Sequence, residues 1–99
     1  MALPVAIDDQ QLAEFCCRNH IRYFAFFGSV LHGDFGPQSD VDVLVQFEPG
    51  STPSLFGIVR MEDELTDMLG RKADLRTPED LSRHFRDKVL TEAAVQYVA

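Results

Sequence analysis

The residues Tyr23-Phe24-Ala25-Phe26-Phe27 are apolar without a break, rich in aromatics, and stopped by Gly28-Ser29. A strand wet on one face alternates apolar with polar side chains, so an unbroken run of this length reads as a strand covered on both faces. A central strand of that kind needs a layer on each side. The expected class is α/β (α+β): a small mixed β-sheet with helices packed on it.

The neighbouring segments supply those layers. Asp8 and Gln11 have capping-box spacing, and Leu12, Phe15 and Cys16 fall at i, i+3, i+4, which predicts a helix from about Asp9 to Asn19. In Asp40-Val41-Asp42-Val43-Leu44-Val45-Gln46-Phe47 the period of two puts Val41, Val43 and Val45 on one face. Asp40, Asp42 and Leu44 share the other. Pro49-Gly50 closes this strand, and Thr52 is expected to cap a helix starting at Pro53, with Leu55, Ile58, Val59, Leu65 and Leu69 inward and Gly70 at its end. Lys72-Ala73-Asp74-Leu75-Arg76 reads as a short strand with Asp74 opposite Ala73 and Leu75. Thr77-Pro78-Glu79-Asp80 has the chemistry of a helix start, and Leu81, Phe85, Val89, Ala93 and Tyr97 recur every four residues, predicting a final helix with one buried face. Glu62, Asp63, Glu64 and Asp67 are expected on a solvated helix face.

Length and charge exclude several classes. At 99 residues one core, and so one domain over 1–99, is expected. No apolar stretch approaches the roughly 18 residues of a membrane span, and Asp8 and Asp9 follow the N-terminus where a leader would carry its apolar region, so a cytoplasmic protein is expected. Cys16 and Cys17 are adjacent, which suits neither a structural bridge nor a zinc site, and at least one should fill the core. The net charge of -7 repels a phosphate backbone, which disfavours generic nucleic-acid binding. It does not exclude a nucleotide, because a divalent cation between carboxylates and phosphates reverses the local charge.

Phe27-Gly28-Ser29, a loop from Gly33 to Ser39, and Asp40-Val41-Asp42 together place distinct chemical tools at one end of a sheet. Gly28 lets backbone approach a phosphate, the amides of Ser29 and Val30 can donate to phosphate oxygens, and Ser29 adds a hydroxyl. Ser39 opens the acidic stretch and joins the candidate nucleotide contacts. Asp40 and Asp42 lie roughly 7 Å apart along one strand face. Such a pair can share two hard cations, which in two-metal sites sit roughly 3.5–4 Å apart. Oxygen-only ligands point to Mg2+ or Mn2+. Asp74, on a neighbouring strand, is the candidate third ligand and proton acceptor. Three strand acids on the core-proximal side would be costly without such a role.

Gly28-Ser29, the Asp40-x-Asp42 pair and Asp74 resemble the signature of the polymerase-beta-like nucleotidyltransferase superfamily, and within it the minimal nucleotidyltransferases. The resemblance runs from Phe26 through Leu69-Gly70, Arg71-Lys72-Ala73-Asp74-Leu75 and Thr77-Pro78 to the last helix. It implies that fold, ATP as substrate, magnesium held by Asp40, Asp42 and Asp74, and AMP transfer to a tyrosine hydroxyl on a HEPN-type toxin that the chain neutralises. Relatives commonly carry Arg after the Gly-Ser pair, where this chain has Val30 and His32.

Each residue has a structural reading beside the functional one. An Asp-x-Asp alone is common on exposed strands, and it is the company of Gly28-Ser29 and Asp74 that favours a nucleotide and metal site. Asp74 could instead pair with Lys72 or Arg76. His32 reads more readily as a surface or turn histidine than as a phosphate contact. Asp34 reads as a turn former, and Phe35 as a residue that could rim a site. A short chain has little material for a small-molecule acceptor pocket or primer cleft, though a homodimer could build one. The acceptor surface is therefore expected on another protein. The alternative class is a non-catalytic antitoxin that binds and occludes a basic partner.

Overall fold

A computed structural model describes residues 5–32, 36 and 39–99. Asp34 and Phe35 lie outside the described residues. Among those described, the order of elements is α1 (Asp9–Arg18), β1 (Ile21–Phe27), a 3-10 turn (Gly28–Leu31), β2 (Val41–Phe47), α2 (Leu55–Leu69), β3 (Ala73–Arg76), a second 3-10 turn (Pro78–Asp80), α3 (Arg83–Glu92) and β4 (Ala94–Val98). The strands form one mixed sheet in the order β3-β2-β1-β4, with β2 and β3 parallel and the other pairs antiparallel. The sheet with its packed helices is the α/β arrangement expected from the sequence.

The unbroken apolar run does become a strand with neighbours on both edges and cover on both faces. On one face Phe24 and Phe26 join Val41, Val43, Val45, Ala73 and Leu75 under Leu12, Phe15 and Cys16 of α1 and Met61 and Leu65 of α2. Edge-to-face contacts of Phe24 with Phe15 (6.5 Å) and Phe26 (5.7 Å) lie within this layer. On the other face Phe27 and Leu44 pack with Val89 of α3. Helix α1 starts where its chemistry predicts, the Asp8 carboxylate accepting from the Gln11 amide at 3.0 Å.

Three expectations need correction. Helix α2 starts at Leu55 and not at Pro53, because Ser54 takes the capping role and accepts from the Gly57 amide at 3.3 Å. The start leaves Leu55 (76% exposed) and Val59 (47% exposed) off the core, which Ile58, Met61, Leu65, Met68 and Leu69 serve instead. Gly70 does end the helix, at φ 72°, where a glycine pays no Cβ penalty.

The final segment is not one helix. It breaks at Leu81-Ser82, runs as α3 to Glu92, and then becomes the edge strand β4, with Tyr97 beside Phe24 and Ala94 beside Phe26. A four-residue recurrence satisfies a period of two as well as a helical period, so Ala93 and Tyr97 cannot separate the alternatives. The β-branched and aromatic residues Val95, Tyr97 and Val98 favour the strand. Phe85 is 48% exposed and not core.

Glu62 is the third case. It is half-buried, and its carboxylate accepts from the Leu75 amide at 2.8 Å, while the Thr66 hydroxyl accepts from the Ala73 amide at 3.1 Å. These amides lie on the open edge of β3, the outer strand beside β2. Two α2 side chains thus satisfy donors that would otherwise invite another strand.

Candidate active site at the sheet edge

Sheet register sets the site. Phe27 of β1 stands opposite Asp42 of β2, and Asp42 stands beside Asp74 of β3. The turn that begins at Gly28 and two carboxylates are therefore brought level across three adjacent strands. Asp40 precedes β2 by one residue and is exposed, two positions from Asp42. Because Val41, Val43, Ala73 and Leu75 belong to the helix-covered core, the acids alternate with them onto the face that carries Leu44 and Phe27. Helix α3 covers part of that face through Val89, leaving the carboxylates at its end.

Gly28 has φ +75°, and a Cβ added there would collide with Oδ2 of Asp42. The carboxylate of Asp42 thus rests against bare backbone, a close approach only glycine permits. Burial first, then the negative charges of Asp74 and Asp40, push the Asp42 carboxyl above its ordinary range; the Arg76 guanidinium and the Ser29 amide act in the opposite sense. Arg76 pairs with Asp74, its Nε 3.2 Å and its Nη2 3.3 Å from the two carboxylate oxygens. The structural pairing foreseen for Asp74 is thus present.

A hard cation fits the donors in kind. All are carboxylate oxygens, and like-charge crowding at Asp42 is the strain such an ion relieves. Among the described residues no three acidic, histidine or cysteine side chains close on a single point, so the carboxylates would have to turn toward an ion. Beyond Asp40 and Asp74 a recess of about 500 Å³ continues along the β3 edge to Glu62, Asp63, Thr66 and Lys72.

The remaining candidates separate. Ser29 is half-buried next to Asp42, whereas Val30 is buried at 2% exposure and contributes its side chain to the core. His32 is exposed. The Ser39 hydroxyl accepts from the Gly36 amide at 3.0 Å, and the Ser39 carbonyl accepts from Arg71 at 3.0 Å. Arg71 also donates to the Gly36 carbonyl. Sequence reasoning missed this tie from Arg71 to the approach to Asp40, because only the parallel pairing of β2 and β3 brings residues 32 positions apart together.

Residues 9–97 match the nucleotidyltransferase domain family. This chain belongs to that family. Protein adenylyltransferase MntA of Thermococcus cleftensis is 36% identical to this nucleotidyltransferase over 72 residues, 73% of this chain and 71% of the relative. A protein of Methanocaldococcus jannaschii, named as a candidate protein adenylyltransferase, is 32% identical over 77% of this chain and 80% of its own. A solved structure described as a candidate minimal nucleotidyltransferase is 34% identical, with a TM-score of 0.69 over 86% of this chain and 85% of that one. The fold also matches a chain of a toxin-antitoxin structure with AMP-PNP at a TM-score of 0.73 and 18% identity, covering 94% and 75% of the two chains. A chain of a structure described as a tri-AMPylated Shewanella oneidensis HEPN toxin in complex with MNT antitoxin matches in fold at a TM-score of 0.65 and 16% identity, over 92% of this chain and 70% of that one. No helix among the described residues is long and apolar enough to cross a membrane.

Proposed function

We propose that this nucleotidyltransferase transfers AMP from magnesium-bound ATP to a hydroxyl group of a HEPN-type toxin, that of a tyrosine, and so acts in the cytoplasm as that toxin's antitoxin. The observation that carries the chemistry is the register Phe27–Asp42–Asp74, which sets a glycine turn beside paired carboxylates. The protein acceptor follows the relatives named adenylyltransferases, and the toxin follows the complexes that share the fold.

In this reading residues 1–99 act as one catalytic domain. Gly28 gives the phosphates access to backbone, the Val30 amide and the Ser29 hydroxyl bind them, the Ser29 amide joins once the Asp42 carboxylate it now serves turns away, and Ser39 orders the nucleotide side of the acidic stretch. Asp40 and Asp42, with Asp74, would hold two magnesium ions, or manganese in their place, which supply charge compensation and activation of the attacking hydroxyl. Asp74 takes the proton of that hydroxyl once Arg76 releases it.

The test uses ATP labelled at either the α- or the γ-phosphate, with magnesium and a HEPN-type toxin from the same genome. Label from the α position should reach the toxin and disappear in Asp40→Asn/Asp42→Asn. Label from the γ position would mean phosphoryl transfer and overturn the mechanism. If the double variant forms the complex and still protects cells, neutralisation is by occlusion.

A further inference from the structure

The stretch after Gly28-Ser29 carries no permanent positive charge: Val30 is core, Leu31 is apolar and His32 is a histidine. A triphosphate arriving beside Asp40 and Asp42 needs compensation from another element. Lys72 lies on the β3 side, in the recess with Asp40 and Asp74, and the Gly28 side has a cation on α3. A second recess of about 100 Å³ lies between the turn at Gly28, Leu31 and His32 and the α3 residues Phe85, Lys88 and Glu92. Its floor is Phe27 and Val89, both buried in the smaller core cluster, so the position of α3 against Gly28 is fixed by packing.

Phe85, Lys88, Val89 and Glu92 are spaced as one stripe of α3. Lys88 is exposed and makes no ion pair among the described residues. Gly28 is the shared wall: it borders this recess and also touches the Asp42 carboxylate. At about 100 Å³ the recess is small for a purine, and at its mouth Lys88 and the Gly28 backbone can meet phosphate groups, with Glu92 one turn further along α3. A lysine beside glycine backbone is a fitting point charge for them.

We propose that Lys88 contacts the β- and γ-phosphates of the nucleotide across Gly28 and steadies pyrophosphate as it leaves. This rests on the nucleotidyl-transfer reading above. In the transfer, the acceptor oxygen bonds to the α-phosphorus and the bond from that phosphorus to the bridging oxygen breaks. The electron pair departs on pyrophosphate, and the acceptor proton passes to a site carboxylate. Lys88 offsets the charge that pyrophosphate carries away. The half-exposed Phe85 closes the outer rim of the recess, which accounts for an aromatic side chain kept out of the core.

The experiment compares wild type, Lys88→Ala and Lys88→Arg by calorimetric binding of ATP, pyrophosphate and AMP with magnesium, and by α-label transfer to the toxin. Position 88 is exposed, so the variants should keep the wild-type melting curve. Lys88→Ala should weaken ATP and pyrophosphate by about tenfold or more and leave AMP unchanged, as expected for a lost charged hydrogen bond. Lys88→Arg should recover most of that loss, and the KM for ATP should follow the binding.

Equal weakening of ATP and AMP would place the nucleoside in the recess and overturn the assignment. Unchanged ATP binding in Lys88→Ala, with wild type active, would overturn it alone. A wild-type protein that neither binds ATP nor transfers α-label would remove the nucleotidyl-transfer reading itself, and this inference with it.

Discussion

The Cα of Gly28 and the carboxylate of Asp42 are in direct contact: a Cβ at position 28 would overlap Oδ2 and lie 3.1 Å from the carboxyl carbon. The backbone there also has φ +75°, a conformation that costs an L-residue about 1–2 kcal/mol. Gly28→Ala should therefore act twice, lowering stability by at least that amount, since the overlap adds to the backbone cost, and pushing Asp42 away from the site. Chemical denaturation reads the first effect and α-label transfer the second. A variant with full transfer would show that the Gly28–Asp42 contact is not needed for activity.

Asp42 should be a destabilising residue. Its folded-state pKa is raised, by burial first and by Asp74 and Asp40 next, so the native state holds its proton more tightly than the unfolded chain. The linkage sign then gives a stability contribution that falls as pH rises from the ordinary carboxylate range through the raised folded value. Asp42→Asn should remove that fall. At neutral pH its Tm should lie above that of the wild type, and the difference should vanish as the pH falls into the ordinary carboxylate range. Transfer should be lost. Equal melting temperatures at neutral pH would contradict the charge crowding inferred at this position.

Much of this site can be read directly from the sequence, because it depends on local patterns. The alternation of Asp40, Val41, Asp42 and Val43 fixes which side chains share a face, and the apolar run ending in Gly28 fixes a buried central strand. What escaped depends on tertiary partners. Nothing local tells that Glu62 turns to the Leu75 amide or that Arg71 reaches the Ser39 carbonyl. The change from α3 to β4 was hidden for another reason: a spacing of four serves both periods, and only pairing of Tyr97 and Ala94 with β1 decides it.

If Asp74 holds a cation as proposed, Arg76 competes with that ion for its carboxylate. The pair is half-exposed, so Arg76→Gln should change stability by less than about 1 kcal/mol. Freed of the guanidinium, Asp74 would be a better ligand for the proposed magnesium, and the magnesium concentration for half-maximal transfer should fall. A rise in that concentration would indicate that Arg76 assists the metal site and does not oppose it.

The two adjacent cysteines should behave as different reagents. Cys16 is buried, and burial with the neighbouring Cys17 pushes its thiol up to about 12, so no thiolate is available near neutral pH. Cys17 is exposed. A thiol-specific alkylating agent should add once to the native protein, at Cys17, and a second time only after denaturation. Peptide mass mapping distinguishes the positions, and labelling of Cys16 under native conditions would mean that α1 opens from the sheet.

The donors along β3 give the clearest test of how the sheet edge is protected. Leu75 is 4% exposed, and its amide depends on Glu62 at 2.8 Å. Glu62→Ala leaves that donor without its partner and should cost about 1–3 kcal/mol. Glu62→Gln keeps an acceptor oxygen and should recover most of the loss. Because β3 carries Asp74 level with Asp42, loosening this edge should also reduce transfer by Glu62→Ala, with amide hydrogen exchange fastest at Ala73 and Leu75. If exchange there stays at the wild-type rate, α2 does not hold the edge through Glu62, and the alignment of Asp74 must come from its pairing with β2 alone.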